Sequence, residues 1–423
     1  MQISLANAKK LNWLWQDENK VEWIQTFIKI ADKEGNIVPF ILTPEQKYLL
    51  ENLGHKNIVS KSRQLGISVL VASAALREAV IYPNSTSMLI SHNQSSTTAV
   101  FDKLKQMFYS LPDFVRPKLI QNNRQALTFE NGSSITCLTA GNKDCARGST
   151  ISSYLWCSEF AFWKDQERQM KSIMQSISSS TKVIIESTSN GYNFYQQTFM
   201  GARNGENGFK PFFFNWIQGG TLFKSQYKQC VEEYKARHNG EMLTEDEYDD
   251  EEKALAKLGM TPEQAVWRRD KISVSGLSAF KVEYPSTPEE SFLSTSAGVF
   301  DNNKIIKLQQ ALVESGNAPY KLDKIVGIPT ILRPHVSNRN LKVWELPKNG
   351  MKYVLGCDLS EGLGGNRDYS TIFVMDKDGR QVAEFASNKI KPYQMSDIID
   401  AMGRWYNKGL LVVEKASGGH SVI

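Results

Sequence analysis

At 423 residues the chain is too long for one ordinary hydrophobic core, so two or three domains are expected. Hydrophobic residues at 41% and charged residues at 22% suit a soluble globular protein, and neither a bilayer-long apolar run nor a signal-peptide core is present, which argues against a membrane or secreted protein and for a soluble intracellular one. A net charge of +5 permits a nucleic-acid partner without announcing one, and five cysteines with no CxxC spacing argue against a zinc site or a disulfide framework.

The first 40 residues or so read as helix, with Leu11, Leu14, Trp15, Trp23, Ile24 and Phe27 at the spacing of one apolar face. From about 56 to 190, β-rich runs (Ile58-Val59-Ser60, Ser87 to Ile90, Ile135 to Leu138, Tyr154 to Cys157, Val183 to Ile185) alternate with helical patterns such as 69–80 and 101–108. That alternation predicts an α/β domain with a mainly parallel sheet, and Asn131-Gly132 marks a turn between two strands. Residues 221–273 read as charged helices: the acidic run Glu245 to Glu252 is expected to be a solvated helix face, and Thr261-Pro262-Glu263-Gln264 is a capping box. Tyr284 to about Asn349, rich in Pro, Ser and Asn, reads as a connector, and a second β-rich unit starts at Tyr353.

Three places carry chemistry. The first is Lys61-Ser62-Arg63-Gln64-Leu65-Gly66-Ile67-Ser68, between a strand and a long helix, where backbone N–H groups and a helix N-terminus can cradle phosphates. Against G-x-x-x-x-G-K-[ST], Gly66 and Ser68 match, which would put Ser68 on Mg²⁺. Ile67 stands where lysine belongs, and Lys61, at the front of the loop, could bring the same charge to the β- and γ-phosphates. A polar strand-to-helix turn would have the same pattern. The second place is the apolar strand Ser153 to Glu159, whose end holds a carboxylate at the edge of the sheet. Ile185-Glu186-Ser187-Thr188-Ser189-Asn190-Gly191 follows at the end of the next strand, either a shifting loop or an ordinary serine-rich turn. The third is a set of carboxylates on separate strands: Asp358 after Val354 to Cys357, and Glu414 after Leu410 to Val413, with Glu361 and Asp368 between them. Such carboxylates can converge on Mg²⁺ or Mn²⁺, although for Glu361 and Asp368 a surface role is equally open.

Taken in order, these segments resemble the large terminase subunit of tailed bacteriophages over about residues 40 to 423. Lysine at the front of the loop with S-R-Q-x-G behind it is that family's deviant Walker A. The resemblance implies that Arg63 acts as an internal arginine finger, unless it only makes a salt bridge to a neighbouring strand. Thr43-Pro44-Glu45-Gln46 resembles the Q-motif, with Gln46 reading adenine, but it is equally a capping box, and both roles are open. Ser158-Glu159 stands for the usual Asp-Glu pair: Glu159 would polarise the attacking water, and Ser158 could reach Mg²⁺ only through water. Arg147, in Ala146-Arg147-Gly148-Ser149, would act on a neighbouring subunit's ATP or bind DNA phosphate. Ser187, Thr188, Ser189, Asn190 and Gly191 match the coupling motif, and Glu283 to Phe292 the segment that joins the domains.

The implied fold is an ASCE-type P-loop NTPase with a helical lid, followed by an RNase H-like nuclease. The expected parts are an ATPase core over 1–220 (including the helical segment 1–40), a lid over 221–295, a linker over 296–349 and a nuclease over 350–423. No Asp or Glu follows Glu414 to supply a third metal ligand, so the nuclease is expected to be C-terminally truncated and weak or inactive as it stands. By the same resemblance the activity is ATP-driven packaging of double-stranded DNA into procapsids with Mg²⁺-ATP, plus an endonuclease using Mg²⁺ or Mn²⁺. The implied partners are the portal protein, the small terminase subunit and a ring of identical subunits on the portal, in the cytoplasm of an infected bacterial host and with no membrane. Two rivals stand beside it. A DNA-dependent ATPase or helicase without a packaging role leaves the second carboxylate cluster unexplained, and an integrase-like or resolvase-like nuclease requires a vestigial nucleotide site.

Overall fold

The computed structural model describes residues 5–32, 35–123, 125–141, 150–292, 308, 311, 327–337, 340–362, 364 and 368–414. The chain divides into two compact units, 1–306 and 307–423. Helices α1 (Leu5–Leu14) and α2 (Lys20–Phe27) open the first, and α2 buries Trp23, Ile24 and Phe27 as its spacing predicts. The helix expected to reach residue 40 stops sooner. Residues beyond Phe27 form an antiparallel hairpin, β1 (Lys29–Ala31) with β2 (Ile37–Pro39), because Ile30, Ile37 and Val38 favour extended backbone and Gly35 turns the chain at φ +86°.

After α3 (Pro44–Asn52) the chain lays down β3 (Lys56–Lys61), α4 (Ile67–Ile81), β4 (Thr86–Ser91), α5 (Gln94–Ser110), β5 (Leu119–Asn122), β6 (Ala126–Phe129) and β7 (Ser134–Thr139). It continues through β8 (Tyr154–Ser158), α6 (Gln166–Ile173), β9 (Lys182–Ser187), α7 (Phe194–Arg203) and β10 (Lys210–Phe214). Eight strands make one sheet in the order β10-β3-β9-β8-β4-β7-β6-β5, parallel from β10 to β7 and antiparallel at the β6 and β5 edge. Alternate residues serve opposite faces. Val59, Leu89, Trp156 and Ile184 join the core containing α4 and α5, whereas Ile58, Ile90, Leu155, Cys157 and Ile185 join the core containing α6 and α7. The result is a helix–sheet–helix layering with every central strand buried on both sides.

Helices α8 (Lys224–Arg237), α9 (Asp250–Lys257), α10 (Pro262–Ser275), α11 (Leu277–Glu283) and α12 (Pro288–Ser291) follow. Both residues of the Thr261/Gln264 capping box bond as expected. Trp267 of α10 is fully buried among Trp216, Phe223, Tyr227, Phe280 and Tyr284. The acidic run departs from its expected role at its last member. Glu252 is 1% exposed and accepts from Arg269 at 2.6 and 2.8 Å, with Arg268 at 3.6 Å, so it is a buried tie between α9 and α10.

The second unit holds a five-stranded sheet in the order β11-β14-β13-β12-β15, made of β11 (Leu341–Val343), β12 (Tyr353–Asp358), β13 (Ser370–Asp376), β14 (Gln381–Ser387) and β15 (Leu410–Val413). All pairs are antiparallel except β12 with β15. Helix α13 (Pro392–Trp405) packs Met395, Ile398, Ile399 and Met402 into the same core as Leu355, Ile372, Val374 and Phe385. Strand β11 falls in the stretch read as connector, and β14 and α13 went unread in the sequence.

Candidate active sites

The loop between β3 and α4 turns through two left-handed residues, Gln64 at φ +63° and Gly66 at φ +68°. Gly66 is the N-cap of α4, so the first-turn N–H groups of a 15-residue helix open at the loop without intrahelical partners. A non-glycine residue such as Gln64 is rarely held left-handed, and alternation of this kind gathers backbone N–H groups into an anion-binding concavity. Ser68 lies half-buried in the first turn of α4. Ile67, in the place of the usual lysine, is 1% exposed and belongs to the main core, so its side chain points away from any phosphate.

Lys61 is the last residue of β3 and is buried. Its Nζ lies 3.2 Å from Glu159 Oε1 and 3.2 Å from Glu186 Oε2. Glu159 directly follows β8 at φ +49°, a strained setting for a side chain and one that recurs at functional sites. Its Oε2 accepts from Thr188 N (3.1 Å), Thr188 Oγ1 (3.2 Å) and Ser187 Oγ (3.3 Å). The Ser187 hydroxyl in turn accepts from Ala161 N at 3.1 Å, and Asn190 Nδ2 donates to Ala161 O at 3.2 Å. Ser189 is buried and Gly191 turns at φ +65°. The loop after β9 thus clasps the turn that carries Glu159.

Glu186 carries a functional environment that the sequence reading did not assign to it. It is wholly buried, and it accepts from Ser158 Oγ at 2.8 Å. Burial by itself would discharge all three ionisable groups. For Lys61 that effect is overcome by Glu186 and then Glu159, which hold the ammonium well above its ordinary value. For Glu159 it is overcome by Lys61 and the Thr188 hydrogen bonds, which bring the carboxyl below the usual range. At Glu186 burial prevails over the pull of Lys61, and the carboxyl sits above the usual range. A glutamate in an otherwise apolar strand was the available signal: Val183-Ile184-Ile185 leads straight into it.

The remaining loop residues serve as braces. Gln46 forms the capping box with Thr43 and donates from Nε2 to Leu65 O at 3.0 Å, so its amide is turned onto the loop. Ser62 N donates to Phe214 O and Ser62 Oγ to Pro285 O, and the buried Leu65 packs against Gly219. Arg63 is exposed and ion-paired to Glu283 at 3.0 Å; its salt bridge runs to the end of α11 and not to a strand. Arg147 and its neighbours 146–149 lie outside the described residues.

In the second unit Asp358 ends β12, and Glu414 follows β15. The parallel register pairs Cys357 with Val413, and Glu414 N donates to Cys357 O at 2.9 Å, so the next pair in register is Asp358 with Glu414. The two exposed carboxylates therefore stand side by side on one sheet face, a donor set of hard oxygens suited to Mg²⁺ or Mn²⁺. Glu361 and Asp368 are exposed on the stretch between β12 and β13. Among the described residues no group of three or more His, Cys, Asp or Glu side chains is close enough to share an ion, so neither joins the pair to complete such a cluster.

Comparison with known proteins sets these sites in a family. The model for the terminase large subunit, T4likevirus-type, N-terminal part, matches residues 58–271, and the terminase RNaseH-like domain matches 355–423. Among solved structures, the HK97 bacteriophage large terminase is 12% identical, with 95% of this chain and 74% of that chain covered and a TM-score of 0.47. The Thermus phage P74-26 large terminase ATPase domain is 16% identical, with 44% and 85% covered and a TM-score of 0.35. The large terminase nuclease from thermophilic phage G20c is 22% identical, with 20% and 45% covered and a TM-score of 0.17. At these scores the overlaid shapes add little, and the assignment rests on the two family matches, the first of which spans half of the chain. Those matches give the two sheets their names, a P-loop α/β ATPase fold and an RNase H-like fold, and with both in one chain the protein belongs to the large terminase subunit family of bacteriophages.

Proposed function

We propose that the first unit hydrolyses ATP to drive double-stranded DNA into a procapsid, and that the second cuts that DNA with divalent metal ions. The observation that carries the reading is the approach of Lys61, at the front of the phosphate loop, to Glu159 at the end of β8, with the loop after β9 holding Glu159 from the other side. An ammonium has three N–H donors; two face carboxylates and the third is left for a phosphate oxygen. Glu159 orients water for attack on the γ-phosphate, and the backbone N–H groups of 64–68 hold the phosphates. The hydroxyls of Ser187 and Thr188 fix the Glu159 carboxylate, so displacement of that loop turns hydrolysis on or off. Ser68 is the residue for Mg²⁺, which when bound offsets phosphate charge. Arg63 reaches the γ-phosphate on leaving Glu283, and Arg147 serves a neighbouring subunit's ATP. Asp358 and Glu414 hold the nuclease metal, with Glu361 and Asp368 as lesser candidates. The proposed partners are DNA, the portal protein, the small terminase subunit and further copies in a ring, in the host cytoplasm.

The test is one pair of assays on the full chain. DNA should stimulate ATP hydrolysis, and Glu159→Gln should bind ATP yet turn it over about 10²-fold more slowly, the scale of a lost positioned base. Cleavage of DNA in Mn²⁺ should vanish in Asp358→Ala. Equal turnover by Glu159→Gln and wild type would remove Glu159 from the mechanism, and cleavage that survives Asp358→Ala would move the nuclease site elsewhere.

A further inference from the structure

Beside Glu159, where a second acidic residue is expected at a nucleotide-site strand end, stands Ser158. The missing carboxyl group lies one strand away. Ser158 and Glu186 are direct partners in the parallel register of β8 and β9, and Glu186 is in turn opposite Val59 of β3, two residues before Lys61. Val59, Trp156 and Ile184 face the α4 core, so period-two alternation puts Lys61, Ser158 and Glu186 on that same face, the face of the phosphate loop. We infer that Glu186 is the displaced second carboxylate of this nucleotide site, a positioning residue that acts on a metal–nucleotide complex through Ser158 and Lys61. The inference rests on the ATPase reading above.

Three observations carry it. A wholly buried carboxylate in the middle of a parallel sheet is costly, and a β-branched apolar residue would pack there at no such cost. Lys61 Nζ lies 3.2 Å from a carboxyl oxygen of both Glu159 and Glu186, the set of one lysine and two carboxyl groups of a site built from a lysine and an Asp-Glu pair. Finally, the Ser158 hydroxyl donates to Glu186 at 2.8 Å, which leaves its oxygen lone pairs able to accept. A hydroxyl that donates to a carboxyl group accepts more strongly in return, so Ser158 would relay the polarity of Glu186 to a metal–nucleotide complex held at the loop. Glu159 is 27% exposed at its side chain and Glu186 not at all, which separates the group that meets substrate from the group that acts through others.

The test titrates Mg²⁺ against binding of a fluorescent ATP analogue by the full-length chain. In Glu186→Gln, an isosteric change, the Mg²⁺ concentration that tightens analogue binding should rise about tenfold or more, the scale of lost outer-shell partners. Adding Ser158→Asp to Glu186→Gln should restore the wild-type Mg²⁺ requirement by returning the carboxyl group to β8. Ser158→Ala, which removes only the relay, should raise that requirement too and serves as the second variant if Glu186→Gln folds poorly. An unchanged Mg²⁺ requirement in Glu186→Gln or in Ser158→Ala, or no rescue by Ser158→Asp, overturns the inference. Failure of the wild type to bind the analogue at all is a different outcome, and overturns the ATP-site reading together with it.

Discussion

Lysine 61 and isoleucine 67 divide what one residue does in an ordinary phosphate loop, the first bringing the charge and the second filling the helix start with hydrocarbon. From sequence, replacing Ile67 by alanine is expected to be mild, since it carries no charge. Its 1% exposure in the main core changes the stability half of that expectation. Ile67→Ala should cost about 2–5 kcal/mol of stability, as core truncations to alanine do, while analogue affinity of the folded protein stays near wild type. Lys61→Ala should show the reverse in the affinity measurement, with most nucleotide binding lost. A loss of binding in Ile67→Ala below its melting temperature, with Lys61→Ala binding normally, would return the phosphate contact to position 67. The lysine, the Glu159 carboxylate and the loop after β9 were legible in the sequence because each sits where a strand ends, and strand ends are marked by the change from apolar to polar residues. Glu186 carries the same mark, but its role depends on lying opposite Ser158, and register between two strands about 28 residues apart is set by packing that no local pattern states.

At the scale of elements, long apolar runs were read correctly and short or charged ones less so. The central strands β4, β8 and β9 each carry a run of three or four apolar residues because both faces are buried, whereas β3 has only Ile58-Val59 between polar neighbours. The β1–β2 hairpin is three residues per strand, too short for its alternation to outweigh the helical pattern before it. The acidic run 245–252 looks uniform in sequence, and only the fold distinguishes Glu252, because its partners Arg268 and Arg269 come from α10. Burial opposes ionisation of Glu252, but the hydrogen bonds from Arg269 and from Asp249 N prevail and hold its carboxyl below the ordinary value. A depressed folded value means that the group contributes stability in full above the unfolded carboxylate value of ~4.3, and loses it as pH falls through the folded value. Glu252→Gln should therefore lower the melting temperature of the first unit at pH 7, by the equivalent of about 3 kcal/mol for breaking a buried pair. The gap between variant and wild type should narrow as pH falls below the ordinary glutamate range. A gap that stays constant into acid would mean that the Glu252 charge is not what ties α9 to α10.

For the whole molecule, the order of motifs led to the expectation of a core, a lid, a linker and a nuclease, and the chain divides into two compact units. The boundary was harder, since β11 carries only three residues and hides in a stretch rich in Pro, Ser and Asn. Each unit has its own core. Val59, Leu89, Trp156 and Ile184 pack with α4 and α5 in the first, while Leu355, Ile372, Val374 and Phe385 pack with α13 in the second. Hydrophobic stabilisation follows buried contact, so a cavity made in one core acts on that core's unfolding. Phe385 is fully buried in β14, with His335 edge-on to its ring at 5.1 Å between centroids. Phe385→Ala should cost about 3–5 kcal/mol, and for a unit of roughly a hundred residues each kilocalorie moves the transition by about 4–8 °C. Calorimetry of the full chain should then show one transition lowered by well over 10 °C and another in place, with affinity for the ATP analogue unchanged. Equal displacement of both transitions, or weakened nucleotide binding at a temperature where both are folded, would show that the two cores behave as one cooperative unit and that the ATP site depends on the integrity of the RNase H-like sheet.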